Sequence, residues 1–311
     1  SSNEEVAKVD DGTVYPLSKG SAKITAYVNG KALVCSLKVA DVIKPGKLAD
    51  GTDVTLTPLQ TVSIKFTDSS FKMKNLTWSN EAGNMGVSSK KGKTVFYQDD
   101  VVRITPAGKL TAVGVGTTIL TATAADGNKS KTFTVTVNKP AGAILYMNKG
   151  KTKALKFYNV KLARVKWQEA SDDALSIVGD MNNGKAKGLE VGIAKVKGYY
   201  APYSFMDDTG RTWDAGITYT ATIYVEDPSL SSEGNVTDLN KTGTSGKLSM
   251  AREETGLILM DNVYQPVVFT SSKQTVAFVD ESGVVQARGK GKANLVARVN
   301  GKKFTVAVTV N

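Results

Sequence analysis

Short runs of alternating apolar and polar residues fill most of this chain. A period of two is the signature of a half-buried β-strand. In the last stretch Ala293, Leu295, Ala297 and Val299 fall on one face, and Asn294, Val296 and Arg298 on the other. The returning run puts Phe304, Val306, Val308 and Val310 on the core side. The same register appears near the start, through Ala22, Ile24, Ala26 and Val28, then Leu33, Cys35, Leu37 and Val39. It returns through Leu120, Ala122, Phe133, Val135 and Val137, and again through Val196, Ala221, Ile223 and Val225. Asn29-Gly30 and Asn300-Gly301 stand between such runs, a strong hairpin signal because both turn residues tolerate positive φ. No stretch has the period of an amphipathic helix. The chain is therefore expected to be all-β.

The runs belong to a repeat. A Gly turn opens each paired set of strands, at Gly20, Gly116, Gly192 and Gly291, spaced 96, 76 and 99 residues apart. A seven-stranded sandwich needs roughly 100 residues, so one repeat is one small domain. A large aromatic precedes three of the turns: Trp78, Trp167 and Phe269. Each is expected to fill the core between two sheets. Pro45, Pro140 and Pro228 mark short linkers, where proline stops a strand and stiffens the junction. The reading is four units. Residues 1–40 form the C-terminal half of a sandwich whose opening strands are missing. Residues 46–138 form a domain with an insertion near 80–98. Residues 143–227 form a divergent domain with an insertion at 199–216. Residues 229–311 form the last domain. Cys35, on an inward register, is expected to be a buried structural thiol.

Composition narrows the chemistry. The 311 residues contain no histidine and one cysteine. That removes the commonest general base, the Ser-His-Asp and Cys-His arrangements, intramolecular disulfides and Cys-rich metal sites. No catalytic residue, metal site or cofactor is assigned. The net charge of +11 is spread over all four units. Nucleic-acid binding would gather Lys and Arg with interleaved aromatics, so no specific nucleic-acid partner is expected. No apolar run approaches the roughly 20 residues of a membrane span. The chain opens on Ser1-Ser2-Asn3 without a signal segment and reads as a mature or excised fragment.

These repeats resemble the bacterial immunoglobulin-like group 2 domain. Phe269-Thr270-Ser271-Ser272, Val276-Ala277-Phe278-Val279 and Gly283-Val284-Val285-Gln286-Ala287 carry the resemblance best. Ser1 to Val39 matches nearly as well. Trp78-Ser79-Asn80 and the run from Gly108 to Gly116 carry the second copy, and Trp167 with Gly184 to Val196 the third. The resemblance implies tandem immunoglobulin-like β-sandwiches. It implies no catalytic residues, and such domains occur in adhesins, surface-layer proteins, stalks of secreted glycosidases and phage virion proteins. Fold alone does not choose among these.

One segment departs from the repeat. Residues 199–213 hold five aromatics, Tyr199, Tyr200, Tyr203, Phe205 and Trp213. Tyr199, Tyr203 and Trp213 beside Asp207, Asp208 and Arg211 would suit a sugar, with rings stacking and charged groups bonding hydroxyls. The same rings would equally suit a satellite cluster or a contact with a neighbouring domain. Asp207-Asp208-Thr209-Gly210 lacks the full spacing of a calcium loop and reads as an Asp-rich turn. Lys90-Lys91-Gly92-Lys93 reads as a solvated hairpin tip, and Val113-Gly114-Val115-Gly116 lacks the Lys and helix of a phosphate loop.

The expected function is a non-enzymatic extracellular or cell-surface spacer or adhesion module. Its partner would be an extracellular glycan or protein, or copies of itself through the incomplete first domain. The alternatives are a self-assembling subunit of a filament, surface layer or virion, and the accessory stalk of a secreted glycosidase.

Overall fold

The computed structural model describes every residue except 4–5, 11–12, 17–19, 29–30, 40–46, 70, 74, 84, 141, 156–164, 180, 182–183 and 207–211. It is a tandem array of immunoglobulin-like β-sandwiches. Each unit ends in an antiparallel hairpin that carries the alternation seen in the sequence. These closing hairpins pair Gly20–Val28 with Lys31–Val39, Gly116–Thr123 with Ser130–Val137, Gly192–Met206 with Thr212–Glu226, and Gly291–Val299 with Lys302–Val310.

In the second, third and fourth units an opening strand lies parallel to the last strand of the hairpin. Thr52–Leu56 pairs with Ser130–Val137, Ala143–Asn148 with Thr212–Glu226, and Ser245–Met250 with Lys302–Val310. The second unit faces its four-stranded sheet with a five-stranded one, and the fourth unit with a three-stranded one. Inward residues of both sheets fill the space between. In the second unit Trp78, 2 % exposed, stands edge-on to Phe133 at 5.8 Å between ring centres, with Phe66 stacked at 6.5 Å. In the fourth unit Phe269 is buried against Leu295, Phe304 and Val306.

The repeat is also a repeat of contacts. A branched side chain covers each Gly turn. A Cβ on Gly116 or Gly291 would sit 3.3 Å from Cγ2 of Val101 or Val276, and one on Gly20 would sit closer still to Val6. These three glycines have φ of +147°, +142° and +158°, so both space and backbone select glycine. At Gly192 the covering residue is Ile177. The first and last units share hydrogen bonds as well. The Ser2 amide donates to the Lys23 carbonyl and Ser2 Oγ accepts from the Lys23 amide, both at 2.8 Å. Ser272 and Asn294 repeat the pair at 2.9 and 2.8 Å.

Four expectations are corrected. The insertion at 199–216 is not a loop between short strands. Both strands of the third hairpin simply continue, to 15 residues each, with a register shift between Tyr200 and Tyr203. Trp167 is half-buried and shared between two apolar clusters; among the described residues the third unit faces its main sheet with the two-stranded piece Thr152–Ala154 and Lys185–Lys187 and a short helix. That helix, Ala174–Val178, was not expected; it carries Ile177 and Val178 into the core, where the second and fourth units place Val101 in a bend and Val276 in a turn. Cys35 is exposed, not buried. Among the described residues its strand pairs with Gly20–Val28 alone, and the apolar cluster of the first unit holds Val6, Ala7, Ala22, Leu37 and Val39. No strand or second sheet among the described residues covers the hairpin beyond that cluster.

The insertion of the second unit is a hairpin, Gly86–Lys90 with Lys93–Gln98, that supplies two of the five strands of its second sheet. Lys91 and Gly92 form its tip with φ of 52° and 70°, and Lys90 to Lys93 are all exposed.

Candidate functional site at the domain joints

The polar and aromatic residues most elaborately held in this molecule lie where one unit meets the next. At the joint of the third and fourth units, Thr222, Tyr224 and Glu226 alternate on the outward face of the last strand. Glu226 is nevertheless fully buried, because loops of the fourth unit close over it. Its Oε1 accepts from the amides of Tyr264 and Gln265 at 2.7 and 3.0 Å. Its Oε2 accepts from Gln265 Nε2 at 2.7 Å and from Asn300 Nδ2. A buried carboxylate is tolerable only when its lone pairs are this well used.

Further contacts frame it. Asn148 Nδ2 donates to the Asn300 carbonyl at 3.1 Å, and the Lys149 amide to the Glu226 carbonyl at 2.7 Å. Tyr146 and Tyr224 stack at 4.8 Å, and Tyr224 meets Tyr264 of the fourth unit at 5.5 Å. An exposed ion pair, Lys302 to Asp227 at 2.9 Å, lies at the rim and adds little on its own.

The joint of the second and third units is built from rings. The long third hairpin reaches back so that Tyr203 covers Arg103 of the second unit, with 4.6 Å from the guanidinium carbon to the ring centre. Phe96 lies 3.6 Å away as a second partner. The cation thus has two π partners, one from each unit. Burial lowers the Arg103 pKa from its ordinary value, with Tyr203 pulling the other way. Leu59 of the second unit packs against Val165, Tyr200, Ile217 and Tyr219 of the third. Burial pushes the Tyr219 phenol far above its ordinary value, with Tyr200 adding to the shift.

The residues singled out for ligand contact are therefore placed as follows. Tyr203 is half-buried on Arg103. Tyr199 is half-buried with its ring over Gly216, whose missing side chain makes room for it. The backbone of Trp213 pairs with Phe205. Asp207, Asp208 and Arg211 lie outside the described residues. Glu226, Asn300 and Arg103 were not anticipated. The alternation marks Glu226 as outward, and only the neighbouring domain turns that position into an interior.

Among the described residues no group of three or more Asp, Glu or Cys is placed to hold a metal ion, and no helix is long and apolar enough to cross a membrane. No family model matches the chain, and no curated protein matches it. Solved structures of similar arrangement include the N-terminal four Ig domains of Dscam1 isoform 4.44, at TM-score 0.29 and 11 % identity over 93 % of this chain and 79 % of that one. Titin domains I67–I69 give 0.28 and 10 % over 84 % and 95 %. Domains 3–5 of Drosophila OTK give 0.28 and 11 % over 85 % and 95 %. At this level of similarity the fold rests on the sheets and registers described above.

Proposed function

We propose that this chain is a non-catalytic spacer of an exported or surface-exposed protein, built of bacterial immunoglobulin-like group 2 units held at set angles. The observation that carries the reading is the buried Glu226 at the third joint, whose hydrogen bonds run from the end of one domain to two loops of the next. A flexible linker would leave that carboxylate in water. Small-angle scattering of the full chain tests it. The wild type should fit one arrangement of the second, third and fourth units. Glu226→Ala, which strips the shared acceptor, should broaden the ensemble while leaving the β-sheet circular dichroism unchanged. A wild-type profile that already requires a freely jointed chain sinks the proposal.

A second reading, association of copies through the first unit, is favoured by one observation. Among the described residues Lys31–Val39 has no parallel neighbour, whereas each of the other three closing strands has one. An open edge beside an uncovered apolar face accepts a strand readily. Protection of Cys35 from thiol reagents as protein concentration rises is its signature.

A further inference from the structure

Asn300-Gly301 closes the last hairpin, with Val299 paired to Lys302 and φ of +46° and +82° at the two turn residues. The turn chemistry explains why Asn and Gly stand there. It does not explain what Asn300 does next. Its side-chain Nδ2 donates to the buried Glu226, and its backbone carbonyl accepts from Asn148. One residue of a surface turn thus holds both sides of the joint. Asn300 itself is half-buried, and Gly301 is exposed with open space about its Cα. Water reaches the turn, and no side chain on residue 301 hinders ring closure there.

We propose that Asn300 is a site of covalent modification by deamidation, and that this reaction releases the fourth unit from the third. The Gly301 backbone nitrogen, losing its proton to solvent, attacks Cγ of Asn300. A Cγ–N bond forms, the Cγ–Nδ2 bond breaks, and the nitrogen leaves as ammonia with a proton from solvent. Water then adds to one carbonyl of the succinimide and opens it to aspartate or isoaspartate. Overall an amide and water become a carboxylate and ammonium. The donor that faced Glu226 is replaced by an oxygen of like charge, beside a carboxylate that is wholly out of water. Two carboxylates sharing one buried site repel unless one takes up a proton.

The proposal rests on the stiff joint argued above, and its test separates the two. Spin labels at Lys197→Cys and Lys292→Cys, both exposed positions on the third and fourth units, report the interdomain distance in a Cys35→Ser background. The unmodified chain should give a narrow distribution. Asn300→Asp should broaden it several-fold, whereas Asn300→Gly, which keeps the turn and removes one donor without adding charge, should broaden it much less. Aging the chain at pH 9 should broaden the distribution in proportion to the one-dalton mass gain mapped to Asn300. A narrow distribution in both the unmodified chain and Asn300→Asp overturns this proposal and leaves the stiff joint standing. A broad distribution before any modification overturns both. If Asn300→Asp does not fold, the aged chain decides: no mass gain at Asn300 while Asn29 and Asn183, which also precede glycine, convert would overturn the assignment.

Discussion

Leu33 is 57 % exposed on the strand that also carries Cys35, although both fall on the face that is buried in their counterparts. A side chain is inside only if something lies opposite it. The equivalent face in the fourth unit is closed by its second sheet, and there Val306 is wholly buried. A thiol in the open should react as one. In dilute solution Cys35 is expected to be labelled by a thiol reagent within a few-fold of the rate in denaturant. Labelling slowed by orders of magnitude at every concentration would contradict the exposed position. Glu226 is the opposite case, a residue with an outward register that a neighbouring domain buries. Neither exposure is written in the residue's own surroundings in the sequence, because both depend on a surface supplied from elsewhere.

Among the elements, the closing hairpins are legible in the amino-acid sequence alone. Their alternation, the Gly turn ahead of each, and the aromatics Trp78 and Phe269 all keep the places that the pattern predicts. Local signals suffice there, since a period of two and a tight turn are decided within a few residues. The third unit shows where such signals stop. Its hairpin extends through the aromatic-rich insertion, and the rings at Tyr200 and Tyr203 serve contacts with the second unit. Proximity to Leu59 and Arg103 has no trace in the local sequence. The Gly turns give a direct test of how far the repeat is structural. Gly116→Ala and Gly291→Ala should each destabilise the chain by about 1–3 kcal/mol, because φ near +145° is unfavourable for any residue with a Cβ. Gly192→Ala lacks that backbone penalty, and meets the Ile177 side chain, with Cδ1 at 2.8 Å and Cγ1 at 3.1 Å, which can turn aside. Urea denaturation of the three variants checks the ordering, and equal losses at all three would refute it.

Over the whole molecule, the order of strands decides what happens when its two ends are pulled apart. In the second and third units the first long strand lies parallel to the last, Thr52–Leu56 beside Ser130–Val137 and Ala143–Asn148 beside Thr212–Glu226. Tension enters one of these strands and leaves by the other. It therefore slides the two along their common axis and loads every hydrogen bond of the ladder together. The fourth unit has the same pairing, with Ser245–Met250 beside Lys302–Val310. The described first unit has no such ladder; its last strand is held by an antiparallel partner alone, whose bonds can be peeled one at a time. Stretching a single molecule should accordingly extend the first unit early and at low force, followed by three later ruptures at higher force. An early rupture among the second, third and fourth units would mean that the parallel ladder does not carry the load.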